Sequence, residues 1–153
     1  MTDLRFPTAL QMMLGLVLAE REGVATMSSS QLAEGLGANP SLVRKLLVPL
    51  VRAGLVQSFM GKSGGVRLGR PAGEITLRDI YCCVTDGKKL WSARSNVPHR
   101  CLVSSNIERF FDELADEAEQ AMLDTLGRRT LEQSFAELRV MDKARPAKRA
   151  PHG

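Results

Sequence analysis

Apolar residues at Phe6, Leu10, Met13, Leu14 and Val17 recur at helical spacing, and Gly23 closes the segment shortly after Arg21. Helix C-termini favour a nearby cation and a residue able to turn left-handed, so the pattern predicts a first helix, largely buried. Ser28, Ser29 and Ser30 offer N-cap hydroxyls to a short helix over Gln31 to Gly35, ended by the turn Gly35-Leu36-Gly37-Ala38. Asn39 caps a third helix with Pro40 at its first position, where no N–H is needed. From Ser41 to Ala53, Val43, Leu46, Leu47 and Leu50 form one stripe, while Ser41, Leu42, Arg44, Lys45 and Arg52 lie nearer the other. Pro49 predicts a kink or an early end near Val48, because it removes a backbone hydrogen bond and clashes with the carbonyl four residues back.

After Gly54, Leu55 to Phe59 and Val66 to Leu68 read as two strands joined through Gly61-Lys62-Ser63-Gly64-Gly65. A glycine-rich hairpin following helix, tight turn, helix is a wing. Thr76 opens a helix through Val84, closed by Gly87, and an irregular polar stretch runs to Arg100. From Val103 to Leu126, Val103, Ile107, Phe110, Phe111, Leu114, Ala118, Ala121, Met122 and Thr125 keep helical spacing, with Glu108, Asp112, Glu113, Asp116, Glu117, Glu119 and Asp124 opposite. A helix of that length runs roughly 36 Å, longer than one small winged domain covers, so it is expected to pack against a twin. Thr130 and Gln133 form a capping-box pattern for a last helix through about Met141. The tail from 143 to 153, with two prolines and four basic residues, is expected to be disordered.

These elements give a mainly α fold with a small β wing, a winged helix-turn-helix head plus a long dimerisation helix. The boundaries are 1–86 for the head, 87–102 for a loop, 103–142 for dimerisation helices and 143–153 for the tail. With 153 residues, 44% of them hydrophobic, the chain has the size of one ordinary domain and material for a core. No apolar run approaches the roughly 20 residues that span a bilayer, and no short basic leader follows Met1, so a cytoplasmic protein is expected. Three cysteines without repeated spacing, two of them adjacent, do not make a disulfide framework.

Charge is segregated more than its total of +4 suggests. Residues 1–74 hold eight basic against five acidic residues, 75–142 nine against twelve, and 143–153 four against none. That asymmetry points to a nucleic-acid-facing half and an acidic, solvated half. The start of a helix that enters the major groove carries the residues that reach base edges and flanking phosphates, so Asn39, Ser41, Leu42, Arg44 and Lys45 are the candidates, Arg44 first for a base. Ser28 and Ser29, opening the motif's first helix, join this set. In the wing, glycines allow close backbone approach, and Lys62 and Arg67 supply charge to phosphates or the minor groove. The segment 61–65 is not a phosphate-binding P-loop, since it joins two strands and lacks that spacing. No acid/base pair or nucleophile motif converges with His99, and His152 lies in the tail, so no catalytic residues are assigned and an enzyme is not expected. The alternative reading is a winged-helix protein-interaction module whose long helix meets a different partner.

Five stretches together resemble the Rrf-two regulators of the IscR/NsrR type, from Leu4 to about Phe135. They are 39–47 (Asn39-Pro40-Ser41-Leu42-Val43-Arg44-Lys45-Leu46-Leu47), 53–56, 64–71, 75–81 and 101–107. The resemblance implies a sequence-specific transcription regulator, a repressor, that binds an imperfect palindrome in double-stranded DNA as a homodimer. It implies that the motif's first helix begins near Ser28 and that a long helix dimerises, here through Ile107, Phe110, Phe111, Leu114, Ala118 and Met122. Two departures stand out. Pro49 replaces a helix-compatible residue, and Val66 stands where an aromatic is common, which predicts weaker wing packing.

Cluster-binding members of such a family need three cysteines in the loop before the long helix, because several thiolates must converge on an iron-sulfur cluster. This chain has Cys101 alone there, while Cys82 and Cys83 sit back in the preceding helix. The similarity is closer to the cluster-free branch with one loop cysteine, and no cofactor or metal site is assigned. His99 and Cys101 remain as donors for an atypical or inter-subunit site. Against that stand a redox role, in which Cys101 at a helix N-terminus has a lowered pKa and pairs with Cys82, Cys83 or its twin, and plain packing for Cys82 and Cys83. Trp91 and Tyr81 flank the loop, where they line an effector pocket or simply pack. An unknown small effector or redox signal completes the expected partners.

Overall fold

The computed structural model describes residues 2–146, and its elements follow the predicted order. They are α1 (Arg5–Arg21), α2 (Ser29–Leu36), α3 (Pro40–Arg52), β1 (Val56–Phe59), β2 (Gly65–Leu68), a 3-10 turn (Ala72–Glu74), α4 (Leu77–Thr85), α5 (Leu102–Gly127) and α6 (Leu131–Ala144). Helix α1 is the centre of the head. It buries Ala9, Met12, Met13, Leu16 and Val17 outright and holds Phe6, Leu10 and Leu14 half-buried, so apolar positions cover more than one of its faces. Around it close Leu32 of α2, Val43 and Leu50 of α3, Leu55 and Val56 of the hairpin, and Ile80 of α4. Each such side chain contributes about 1.5–3 kcal/mol by leaving water.

Helix α3 runs unbroken through Pro49 to Arg52, so the early end at Val48 does not occur. Leu46, Leu47 and Leu50 are buried on both sides of the proline and hold the backbone helical. The carbonyl that loses its donor belongs to exposed Lys45, where solvent reaches it. The helix stops instead at Gly54, whose φ of 75° lets the Leu55 N–H donate to Leu50 O and its own N–H to Val51 O. Buried Leu55 packs over Leu50 in the same closure.

The hairpin pairs Val56 with Leu68, Gln57 with Arg67, Ser58 with Val66 and Phe59 with Gly65. Its base, expected to pack weakly without an aromatic at Val66, is closed, because Val66 is buried in the core and bridges Met27.

Two corrections concern the C-terminal half. Helix α6, assigned from sequence to the dimerisation unit, completes the head instead. Leu131 and Phe135 join the core, α6 packs on α1 and the 3-10 turn, and Arg21 pairs with Glu132 while stacking, like Arg139, on the Phe135 ring. Its start is fixed by the Thr76–Thr130 bridge and by N–H donation from Leu77 to Arg129 O and from Leu131 to Ile75 O, each at 2.9 Å. The helix also extends to Ala144, so Lys143 is helical rather than part of a disordered tail, and the rest of the tail beyond 146 lies outside the described residues.

Helix α5 carries two apolar stripes where the sequence reading drew one. Phe111, Ala118, Met122 and Leu126 are half-buried around buried Ala115, on the side that packs against α4. Val103, Ile107, Phe110 and Leu114 are exposed, Phe110 at 62% and Leu114 at 48%.

Candidate nucleic-acid interface

Side-chain caps set the helix-turn-helix geometry. Ser28 Oγ accepts from the Gln31 N–H at 3.0 Å and Gln31 Oε1 accepts from the Ser28 N–H at 2.9 Å, a reciprocal box that fixes the start of α2. Asn39 Oδ1 accepts from the Ser41 N–H at 2.8 Å and fixes the start of α3. From that start Ser41, Arg44 and Lys45 are exposed, with an Arg44 N–H 3.5 Å from Ser41 Oγ. The helix contains no acidic residue, so the partial positive charge of its N-terminus and both cations add. Leu42 differs from these neighbours, being half-buried against the core. Ser29 lies half-buried in the first turn of α2.

The wing is fastened to this motif by contacts that sequence reading missed. The Met27 N–H donates to Val66 O at 2.9 Å and the Val66 N–H to Met27 O at 2.7 Å, and Thr26 Oγ1 donates to Ser63 O at 3.2 Å. Met27 adjoins the α2 cap Ser28, so the wing is tied directly to the start of α2. Gly65 is required at the junction, since a Cβ there would sit 2.6 Å from Met27 O. The strand-like alternation ahead of Ser28 is too short to announce a bridge, although the cap serines beside the wing glycines were legible. Lys62 stands exposed at the tip. Arg67 is exposed but held, donating to Gln57 Oε1 at 3.3 and 3.2 Å and stacking 4.5 Å from the Phe59 ring centroid. Its guanidinium is thus presented on the wing's outer face at small further loss of rotamer freedom.

The candidate sensing residues do not come together. Cys101 caps α5, its Sγ accepting from the Ser104 N–H at 3.4 Å while Ser104 Oγ accepts from the Cys101 N–H at 2.9 Å. The Ser104 hydroxyl, then the N–H groups of Ser104 and Val103, hold its thiol below the ordinary value. Burial pushes the Cys83 thiol up, and Cys82 is exposed. Cys101 lines a cavity of about 400 Å³ between the loop and α5, with Ala93, Val97, Val103 and Phe111. Cys82 and Cys83 line a different cleft with Arg78, and His99 a third with Glu108 and Asp112. Neither aromatic lines the loop cavity. Tyr81 is buried edge-on against Phe6 with ring centroids 5.4 Å apart, and Trp91 is exposed.

A capped helix-turn-helix carrying exposed cations and locked to a β wing defines the winged helix-turn-helix class of DNA-binding folds. The chain belongs to the Rrf2 family (Rrf-two), whose model, described as an iron-dependent transcriptional regulator, matches residues 3–137. YwgB of Bacillus subtilis (strain 168), named as an HTH-type transcriptional regulator, is 29% identical over 122 residues, 73% of this chain and 78% of YwgB. Protein aau3 of Rhizobium meliloti (strain 1021) is 50% identical over 56 residues, which span only 37% of this chain and 36% of that protein. Among solved structures, T. potens IscR superposes with a TM-score of 0.66 at 21% identity, over 97% of this chain and 93% of that one. Oxidised Staphylococcus aureus CymR gives 0.64 at 26%, over 88% and 96%.

The family description names iron, and the donors present do not fit a metal or cluster. Among the described residues no three His, Cys, Asp or Glu side chains converge to hold one, and the three thiols are divided between two cavities. Among the described residues no helix is long and apolar enough to cross a membrane.

Proposed function

We propose that this protein is a sequence-specific repressor that binds a palindromic operator as a homodimer and holds no resident cluster. The observation that carries the reading is the helix-turn-helix of α2 and α3 tied to the wing where Met27, at the start of α2, bridges Val66, with Arg44, Lys45, Lys62 and Arg67 all exposed on it. Arg44 serves a base edge, Ser28, Ser29, Asn39, Ser41 and Lys45 serve the flanking backbone, and the wing cations serve phosphates or the minor groove. Leu42, half-buried, is left at most an apolar contact. The twin packs on the exposed α5 stripe of Ile107, Phe110 and Leu114, whereas Phe111, Ala118 and Met122 support the helix from its own head. Cys101, exposed and with a lowered pKa, is the thiol through which a redox signal acts.

Footprinting on the promoter of the protein's own gene tests this reading. Two protected half-sites about one helical turn apart are expected. A monomer that leaves no footprint overturns it.

A further inference from the structure

The structure contains a cleft of about 590 Å³ between the C-terminal turns of α1 and the outer edge of β2. It arises from an interrupted strand pairing. Met27 and Val66 exchange both backbone hydrogen bonds, so the Val66 N–H and C=O face away from β1. Antiparallel alternation points the N–H and C=O of Leu68 the same way. Continued pairing would set Leu68 opposite Ala25, but the chain turns off there, with the Val24 N–H donating to Ala19 O. Among the described residues no other backbone group takes Leu68's place in a bond. The result is one open strand position facing a cleft lined by Leu16, Ala19 and Leu68 together with Glu20, Arg67 and Arg70, the last with its guanidinium 3.5 Å from Ala53 O.

We propose that this cleft binds a short peptide with free termini and an apolar side chain, which takes the place that Ala25 leaves beside Leu68. The N–H of the residue that replaces Ala25 donates to Leu68 O and the C=O of the same residue accepts from the Leu68 N–H, so that residue needs an amide on each side and the peptide is at least a tripeptide, bound as extended peptides extend a sheet edge. The apolar side chain rests on Leu16 and Ala19, the carboxylate meets Arg67 and draws Arg70 from its 3.5 Å contact with Ala53 O, and the ammonium meets Glu20. The lining carries charges of both signs, so a peptide with free termini uses both, where a fatty acid or an amine uses one. The volume lies within the range of small-ligand sites. Arg67 links the cleft to the wing, since a carboxylate there competes with Gln57 for the guanidinium.

Isothermal titration of the full chain, without DNA, with a tripeptide probe whose central residue is leucine tests the site. With glycyl-leucyl-glycine as that probe, one-to-one binding is expected, weakened about tenfold or more, the loss of one good polar contact, by Arg70→Gln, by amidation of the peptide's carboxylate and by N-methylation of its leucine nitrogen. Arg70 is exposed, so an unchanged melting temperature identifies a folded variant. No heat and no thermal shift at millimolar peptide overturns the proposal, as does full affinity of the N-methylated peptide. Only the effect on DNA affinity rests on the repressor reading. Tripeptide binding by a chain that ignores DNA sinks that reading alone, and operator binding without tripeptide binding sinks this one alone.

Discussion

The head and the outer half of α5 are built from similar residues and end in opposite states. In the head, the stripes of α1 to α4 meet one another and the start of α6, with Leu131 and Phe135, within the same chain, and only outlying positions such as Val48 and, late in α6, Leu138 and Met141 stay exposed. On α5, the stripe facing α4 is covered and the one through Ile107, Phe110 and Leu114 faces solvent. The head therefore closes its core within one chain, whereas α5 leaves its outer stripe open. In the proposed dimer, folding rests on the first region and assembly on the second.

A pair of substitutions breaks this comparison most strongly. Leu50→Ala, at a fully buried site between α3 and α1, should destabilise folding by about 2–5 kcal/mol through the cavity it leaves. The check is the denaturant midpoint. Phe110→Glu, at an exposed site, should leave that midpoint nearly unchanged once dimer dissociation is allowed for. It should turn a dimer into a monomer in light scattering and weaken operator binding about a hundredfold or more, because two linked half-sites become one. If Phe110→Glu unfolds the head or leaves the dimer intact, the division of labour between the regions is wrong.

The head was legible in the sequence because its signals are local. Ser28, Asn39 with Pro40, Thr76, and Thr130 with Gln133 each announce a helix start, and each cap forms. What was missed is nonlocal. Periodicity assigns Phe111 and Phe110 to one apolar surface, but they are about 100° apart on a helix, and only the position of α4 decides which of them is covered. The return of α6 depends on a backbone bridge between Thr76 and Thr130, which no spacing reveals. Within the interface, the cations were readable as residue types, while the joint from Met27 to Val66 was not, since a one-residue bridge has no period. Pro49 misled for a related reason, because buried leucines on both sides outweigh its local preference.

Smaller effects divide the interface itself. Arg44→Ala should cost about 1–3 kcal/mol of operator affinity and relax preference at one base pair, while Lys62→Ala should weaken all sequences alike and lower the salt slope by about 1. Competition binding at several salt concentrations separates the two. Identical behaviour of both variants would mean that α3 does not read bases.

The smallest effect sharpens the comparison at the far end of α5, where the exposed helix start is capped by a thiol. Ser104 supplies both the hydroxyl and the nearest N–H that hold the Cys101 pKa down. A lowered thiol pKa means that the thiolate persists to lower pH and is lost only as pH falls through that value. Alkylation of Cys101 by iodoacetamide, followed across pH in a variant lacking Cys82 and Cys83, should therefore give a midpoint below that of a free thiol. Ser104→Ala removes the hydroxyl and retains the N–H, so the midpoint should rise part of the way back. A midpoint that Ser104→Ala leaves in place would assign the shift to the end of the helix alone, and an unshifted wild-type midpoint would take from Cys101 the property that singles it out as the responsive thiol.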